Sequence, residues 1–312
     1  MTTVWLPESP ESFGGLPDGM TAGVWTGGEP LPDSAGEVEV VVMPFGVRPE
    51  LIAQVARLPR LKLIQLRSAG AEAVIPYVPD GVTLCNARGA HDPATAEWVV
   101  GVIFAHLRNL PRFTAAQRDG RWDPAPSEMV AGKHVLIVGY GSIGAAVERR
   151  LAGWEVTVER VARRARPGTP GTPGDPAVLG TESLPEALPR ADVVVLLVPV
   201  TEETRGLAGA KFLAAMKDGA LLVNAARGPI VDTGALLAEL DSGRLRAALD
   251  VTDPEPLTDG HPLWQAPGLL LTPHVGGMVS AGLARANAVV RGQLARYAAG
   301  EPLANVVGDK GY

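Results

Sequence analysis

The chain has 312 residues, 46% hydrophobic and 20% charged, which excludes a disordered or fibrous protein and favours two ordinary domains. The 34 acidic residues exceed the 28 basic ones, which disfavours nucleic acid as a partner, and the single cysteine, Cys85, excludes an intramolecular disulfide framework. The first ten residues lack a signal-peptide pattern and no apolar run has the length of a membrane span, so we expect a cytoplasmic protein without a membrane partner.

Short apolar runs alternate with helical stretches along the chain, and this alternation is typical of an α/β protein. Several runs are apolar throughout, as in parallel strands that are buried on both faces. The predicted strands are 37–44, 61–65, 134–138, 155–158, 192–198, 220–224, 246–251 and 269–272. The predicted helices include 93–110, 142–151 and 233–242. Segment 166–176 is rich in proline and glycine, so we predict a surface loop there.

The predicted helix 93–110 is apolar on nearly every side after its first turn. Such a helix must be covered all round, either by neighbours in its own subunit or by a second subunit. The pattern alone leaves both arrangements open.

A glycine-rich turn follows the predicted strand 134–138 and opens the predicted helix 142–151. This is the context of the dinucleotide-binding fingerprint, whose glycines permit a tight turn, approach to a pyrophosphate and close packing of helix on strand. A tight turn without a ligand is the alternative interpretation. The flanking elements favour a cofactor site, and its candidate residues are Gly139, Gly141, Ser142, Ile143 and Gly144.

The residues after the next predicted strand bear on the choice of cofactor. An acidic residue such as Glu159 suits the ribose hydroxyls of NAD, whereas arginines suit the 2′-phosphate of NADP. Arg160 and Arg163 are the candidates, and a solvated basic loop is the alternative. We therefore expect NADP, with NAD as the alternative cofactor.

Five motifs occur in order within about residues 61–277. They are GYGSIG at 139–144, VPVTEET at 198–204, NAARG at 224–228, LDV at 249–251 with EP at 255–256, and TPHVGG at 272–277. On these residues the chain resembles the D-2-hydroxyacid dehydrogenases, which include glyoxylate/hydroxypyruvate reductases. The resemblance implies nicotinamide-dependent reduction of a 2-oxo acid, with Arg227, Glu255 and His274 matching the family's catalytic residues.

The chemistry of these three side chains agrees with the roles that the resemblance implies. Histidine gains and loses a proton near working pH, so His274 is the candidate acid/base. Glu255 would orient the imidazole through its other nitrogen. The fork of Arg227 would hold the substrate carboxylate and polarise the neighbouring carbonyl.

The resemblance also implies further contacts with cofactor and substrate. The additional cofactor residues are Pro199, Thr204, Ala225, Ala226, Asp250 and Gly276. The loop after strand 61–65 would hold the substrate carboxylate through Ser68, Ala69 and Gly70, together with Arg227. No histidine spacing suggests a metal site, so we expect none.

We expect two doubly wound parallel-sheet domains with the active site in their cleft. A flavodoxin-like substrate-binding domain comprises residues 1–90 and 284–312, and a Rossmann-type nucleotide-binding domain comprises 91–283. The expected enzyme is a homodimeric NAD(P)H-dependent reductase of a small 2-oxo acid, with glyoxylate or hydroxypyruvate as first substrates. A nucleotide-sensing regulator on the same scaffold is the alternative from another class, and a phosphite-type oxidoreductase is a further one.

Overall fold

The structure, a computed structural model, describes residues 1–168 and 177–308. Most of the predicted loop 166–176 lies outside the described residues. The chain divides into two units, Met1–His91 with Val279–Tyr312, and Asp92–Met278. The sequence-based boundaries, after residues 90 and 283, lie near these divisions. That the units are the substrate-binding and nucleotide-binding domains stays a prediction.

The strands are β1 Thr2–Leu6, β2 Met20–Val24, β3 Val38–Val42, β4 Leu63–Gln65, β5 Thr83–Cys85, β6 His134–Val138, β7 Thr157–Val161, β8 Val193–Leu196, β9 Leu221–Asn224, β10 Arg246–Leu249 and β11 Leu269–Leu271. The α-helices are α1 Pro49–Val55, α2 Asp92–Leu107, α3 Leu110–Arg118, α4 Ser142–Leu151, α5 Leu184–Ala187, α6 Ala210–Ala215, α7 Thr233–Asp241 and α8 Gly282–Ala299. The expected α/β class is confirmed.

The first unit contains a parallel sheet in the order β2-β1-β3-β4-β5, which is the flavodoxin-like order. One face of the sheet packs against α1, with Ile52 and Ile64 in the core. The other face packs against α8 through Val290 and Leu294. Cys85 lies in this second core, where burial raises the pKa of its thiol to about 11.

The second unit contains a parallel sheet in the order β11-β10-β9-β8-β6-β7. Beside β7 a single parallel bridge joins Val161 to Leu179, where a Rossmann sheet has a further strand. The strand order reverses between β6 and β8, and such a switch point is where open α/β sheets bind ligands, outside the carboxyl ends of the strands.

The predicted strand 155–158 is placed wrongly, because β7 runs from Thr157 to Val161. Gly153 and Glu155 have φ values of 87° and 57°, so the turn after α4 extends further than expected and the strand begins later. Glu159 and Arg160 therefore lie inside β7, and as neighbours in a strand they face opposite sides of the sheet.

Helix α2 packs against α4 and β9 within the second unit. Val99, Val102 and Ile103 are buried in the core of that unit. Phe104 is half-buried, and its ring meets the ring of Trp154 edge-on, with 4.6 Å between the centroids. Part of the apolar surface of α2 is thus covered within the chain, while Glu97 and Gly101 are exposed.

Candidate nucleotide and catalytic site

The turn between β6 and α4 requires glycine at residue 139. Gly139 has a φ of 101°, and a Cβ there would lie 2.5 Å from the carbonyl carbon of Leu197, which follows β8. Both the backbone conformation and the close approach of the two strands therefore exclude a side chain. Gly144 is likewise close to β6, since a Cβ there would lie 3.2 Å from the Ile137 side chain.

The N-terminus of α4 is open. Gly141 is the N-cap residue, and a Cβ added to it would meet no atom within 4 Å. Gly141 and Ser142 are exposed and Ile143 is half-buried, so the first amides of α4 border free space. Unpaired amides and the positive end of the helix dipole favour an anion, and this cradle fits a pyrophosphate.

Arg160 is held by an acidic residue on α4. Its Nε donates to Glu148 Oε2 at 2.7 Å and its Nη2 also donates to Glu148. The Tyr140 hydroxyl donates to the same carboxylate at 2.5 Å. The hydrogen bonds and charge of Arg160 outweigh burial and lower the pKa of Glu148 below its usual range. Arg160 thus joins β7 to α4, and this pairing opposes its expected role in holding a 2′-phosphate.

The other residues near the end of β7 differ in their surroundings. Glu159 lies 3.0 Å from His134 Nε2 and accepts from Arg190 Nη2 at 2.9 Å. Its carboxylate is therefore held by residues near the start of β6 and before β8. Arg163 is exposed beyond the end of β7, and Arg166 donates to the Tyr140 carbonyl oxygen at 3.2 Å.

The loop after β8 is closed by a threonine hydroxyl. Thr204 Oγ1 donates to the Pro199 carbonyl oxygen at 2.6 Å and accepts from the Thr201 amide at 2.8 Å. The loop therefore has a fixed shape beside the switch point. Thr204 and Pro199, both expected at the cofactor, shape the loop in this way.

Asn224, at the end of β9, arranges the segment that carries Arg227. Its amide oxygen accepts from the Ala226 amide at 3.0 Å, and its Nδ2 donates to the Arg227 carbonyl oxygen at 3.0 Å. The Arg227 Nη1 donates to the Ala226 carbonyl oxygen at 2.7 Å. Ala226 is buried and Ala225 is half-buried. The bonds of Asn224 thus fix the position from which the guanidinium extends.

Asp250 joins the end of β10 to the segment that follows β11. Its Oδ1 accepts from the Thr272 hydroxyl at 2.6 Å and from the Val275 amide at 2.9 Å, and its Oδ2 accepts from the Gly276 amide at 2.7 Å. Asp250 is 4% exposed, and these three donors compensate for its burial. The carboxylate thereby holds the loop around His274, and the contact with the cofactor that the family resemblance implies for Asp250 stays a prediction.

His274 and Glu255 are adjacent. His274 Nδ1 lies 2.5 Å from Glu255 Oε1, and both side chains are partly exposed. The His274 backbone has a φ of 55°, in the left-handed region that few residues other than glycine adopt, and its amide donates to the Asp250 carbonyl oxygen at 2.7 Å. Because Glu255 meets Nδ1, the imidazole presents Nε2 as its second nitrogen for proton transfer.

In the first unit, the carbonyl oxygens of residues 68–70, in the loop after β4, accept hydrogen bonds from within the unit. The Ser68 carbonyl oxygen accepts from the Ala87 amide at 2.8 Å, and that of Ala69 accepts from Asn86 Nδ2 at 2.8 Å. The Gly70 carbonyl oxygen accepts from the Ser68 hydroxyl at 2.7 Å. Since the N–H and C=O of a trans peptide point in opposite directions, the next amides in the chain point the other way.

The second unit brings together Asn224, Arg227, Asp250, Glu255 and His274 at the carboxyl ends of β9, β10 and β11 or in the loops after them. The sequence did not indicate the hydrogen bond from the Thr272 hydroxyl to Asp250 or the pairing of Glu148 with Arg160. It also did not indicate that Asn224 holds the segment that carries Arg227. Asn224 ends an apolar strand as a fully buried amide, and this was the signal that could have identified it.

Within 1–168 and 177–308, no helix combines the length and apolar character needed to cross a membrane. The same residues contain no cluster of three or more histidine, cysteine, aspartate or glutamate side chains that could hold a metal ion.

Comparison with known proteins identifies the family. Residues 100–276 match the model for the NAD-binding domain of D-isomer specific 2-hydroxyacid dehydrogenases. A glyoxylate reductase of Thermofilum pendens is 34% identical over 228 residues, which span 70% of this chain and 66% of that protein. A D-3-phosphoglycerate dehydrogenase of Methanocaldococcus jannaschii is 31% identical over 253 residues, which span 80% of this chain but 48% of that protein.

The whole chain is also similar to a solved structure. This is an NADPH-dependent glyoxylate/hydroxypyruvate reductase of Sinorhizobium meliloti, determined in complex with NADP and sulfate. The two are 27% identical, with a TM-score of 0.85, and the alignment covers 100% of both chains. The expected combination of two parallel-sheet domains is confirmed. With more than half of its length matched by the family model, the chain belongs to the D-isomer specific 2-hydroxyacid dehydrogenase family.

Proposed function

We propose that the protein is an NAD(P)H-dependent reductase that converts a small 2-oxo acid to the D-2-hydroxy acid. Glyoxylate and hydroxypyruvate are the first substrates to test. The observation that carries the proposal is the 2.5 Å contact between His274 Nδ1 and Glu255 Oε1, on a loop held by Asp250. The glycine-rich turn at 139–144 in the same unit supports a dinucleotide cofactor.

Each of the three proposed catalytic residues has a separate role in the reduction. The turn at 139–144 would hold the reduced dinucleotide cofactor, which would supply a hydride to the carbonyl carbon of the substrate. His274 donates a proton from Nε2 to the carbonyl oxygen, so that the ketone becomes a hydroxyl group. Glu255 holds the imidazole by Nδ1 and so fixes its orientation. Arg227 binds the carboxylate and adds positive charge where the oxyanion character develops.

The loop 68–70 is proposed to hold the substrate carboxylate. Its carbonyl oxygens are engaged within the first unit, so its amides are directed away from those partners. Successive backbone amides can bind an anion, and the small side chains of the loop allow close approach.

The cofactor is proposed to be NADP, with NAD as the alternative. Arg163 is exposed beyond β7, where a 2′-phosphate is bound in sites of this type, and Glu159 is engaged by His134 and Arg190. The pairing of Arg160 with Glu148 makes Arg160 the weaker of the two expected phosphate ligands. The relative from Sinorhizobium meliloti, which was solved with NADP, supports this choice.

A homodimer and a cytoplasmic location complete the proposal. The half-buried side chains of Val100 and Phe104 give α2 apolar surface for a second subunit. The single cysteine agrees with a reducing compartment. Light scattering at micromolar concentration measures the assembly, and a monomer mass would contradict the dimer.

The test of function is a turnover assay with reduced cofactor over a panel of 2-oxo acids. We expect oxidation of the cofactor that depends on the 2-oxo acid, and a D-2-hydroxy acid as product. In Arg227→Lys the KM should rise and the kcat should fall, because lysine lacks the bidentate fork. Cofactor binding without turnover of any 2-oxo acid would instead support the nucleotide-sensing regulator, and oxidation of phosphite would support the phosphite enzyme.

A further inference from the structure

The first unit contains a cavity of about 180 Å³ next to the loop 68–70. Apolar side chains form most of its wall, namely those of Met43, Phe45, Val47, Ile52, Leu66 and Val74. Ser68 and Gly70 line the same cavity. The cavity therefore begins at the loop that is proposed to hold the substrate carboxylate.

Arg67 is the one charged residue among the described residues that line the cavity. It is 6% exposed, and its Nη1 donates to Glu8 Oε1 at 2.6 Å. Its guanidinium carbon also lies 4.7 Å from the centre of the Phe45 ring. The carboxylate of Glu8 balances the positive charge, so a second substrate carboxylate would enter a site without net positive charge.

The size of the cavity limits what it can hold. An apolar cavity of about 150 Å³ accepts benzene in another protein, so this one has room for a branched aliphatic or a phenyl group. Glyoxylate carries only hydrogen on its carbonyl carbon and would leave the cavity empty. In pyruvate and longer 2-oxo acids, the carbonyl carbon separates the substituent from the carboxylate carbon. The substituent therefore extends away from the carboxylate.

We infer that this cavity holds the substituent of the substrate's carbonyl carbon, and that the enzyme prefers 2-oxo monocarboxylates with an apolar substituent. The inference rests on the proposed function and narrows its substrate class. Each buried methylene should raise kcat/KM about fourfold, from the usual free energy of burying that group. The preference should continue until the cavity is filled.

The first experiment compares glyoxylate, pyruvate, 2-oxobutyrate, 2-oxopentanoate and 4-methyl-2-oxopentanoate. We expect kcat/KM to rise along the series, and the dissociation constants measured by calorimetry to fall in parallel. Hydroxypyruvate is the polar isostere of 2-oxobutyrate and should be the poorer of the two. A series that is flat or declines in both measurements would overturn the inference.

Two matched valine variants test the location. Val47 lines the cavity, whereas Val24 lies on β2 and is 52% exposed. Val47→Phe should lower the ratio of kcat/KM for 4-methyl-2-oxopentanoate to that for glyoxylate by at least tenfold, and Val24→Phe should leave the ratio unchanged. Ala73→Leu, at an exposed position in the cavity wall, serves if Val47→Phe does not fold. If this ratio is the same in the cavity variant and in Val24→Phe, the substrate preference is determined outside the cavity.

The charge balance is tested with 2-oxoglutarate and its apolar isostere 5-methyl-2-oxohexanoate. The parent protein should bind the apolar compound at least tenfold more tightly. Glu8→Gln leaves the charge of Arg67 uncompensated and should reduce that preference. Equal binding of both compounds by the parent would contradict the charge argument.

The binding and turnover measurements separate this inference from the proposed function. A rising affinity series without turnover would support the cavity and refute the reductase. Turnover of glyoxylate or hydroxypyruvate with no gain in affinity or rate for longer acids would support the reductase and refute the cavity's role.

Discussion

Gly228 and Thr252 are in such close contact that a Cβ on residue 228 would lie 1.8 Å from the Thr252 carbonyl oxygen. This contact presses the segment after β9, which carries Arg227, against the segment after β10, which leads to Glu255. The loops that carry Arg227 and Glu255, both proposed to act in the reaction, therefore depend on the absence of a methyl group between them.

Gly228→Ala should destabilise the second unit and lower kcat, because the backbones must separate. Overpacking of this kind costs about 1–3 kcal/mol or more. Urea unfolding and steady-state kinetics measure the two effects. The matched control is Gly292→Ala in α8, where an added Cβ meets no atom within 4 Å and alanine suits a helix. Equal behaviour of the two variants would refute the packing argument.

His274→Gln should reduce kcat by about 10²–10⁴-fold or more while cofactor affinity stays nearly unchanged, because the proposed role of the residue is proton transfer. Glu255→Gln should give a smaller loss, since the imidazole keeps a hydrogen-bond partner at Nδ1, although a neutral amide holds it less strongly than a carboxylate does. Steady-state rates and a fluorescence titration of the cofactor are measured together. A His274→Gln enzyme with parental kcat would remove His274 from the mechanism.

Asp250→Asn should lower kcat and the free energy of unfolding together. The carboxylate accepts three hydrogen bonds, from the Thr272 hydroxyl and two amides, and an amide group cannot accept all three at the same positions. We expect a loss of about 1–3 kcal/mol of stability. Thr272→Val removes one of the three donors and should have a smaller effect on both quantities. A normal kcat in Asp250→Asn would show that the His274 loop does not need this carboxylate.

Arg163→Ala should reduce the preference for NADPH over NADH by about tenfold, the value expected for one charge-assisted hydrogen bond to the 2′-phosphate. Arg160→Ala should act mainly on stability, because Arg160 joins β7 to Glu148 on α4. The ratio of kcat/KM for the two cofactors and a urea unfolding curve distinguish these effects. If the kcat/KM of the wild-type enzyme with NADH equals or exceeds that with NADPH, the choice of NADP is wrong.

Burial in the second unit and the nearby charge of Arg246 lower the pKa of His106 to about 4. The unfolded chain, with the ordinary histidine pKa of about 6.5, binds more protons between these pH values. Stability should therefore fall as pH drops from about 6.5 to about 4, by about 3 kcal/mol from this residue. His106→Gln should flatten the pH dependence of unfolding in that window. An unchanged slope would contradict the burial of a neutral imidazole.

Sequence patterns predicted the bounds of a strand or helix correctly where its own residues and their immediate neighbours determine its structure. The strand 134–138 and the helix 142–151 were predicted with the bounds that the structure shows, because an apolar run, glycines and a helix start follow each other directly. Strand β2 was missed, since at the edge of its sheet most of its residues are exposed and it lacks a continuous apolar run.

Apart from the contact between Glu255 and His274, which the resemblance implied, pairings between distant segments could not be predicted. Arg160 was expected at the cofactor because of the arginines around it, whereas its partner Glu148 is on α4. Asp250 was expected as a cofactor residue, whereas its hydrogen-bond partner Thr272 lies 22 residues further along the chain. Both pairings depend on how the strands and helices pack, which periodicity does not show.

The position of α8 affects the order in which the protein can fold as it is made. Val290 and Leu294 of α8 complete the core around Val4 and Leu6 in the first unit. The ribosome makes α8 after the second unit, whose residues 92–278 are continuous. The second unit can therefore close its core while the first still exposes one face of its sheet, and the earliest strands of the chain are among the last to be covered.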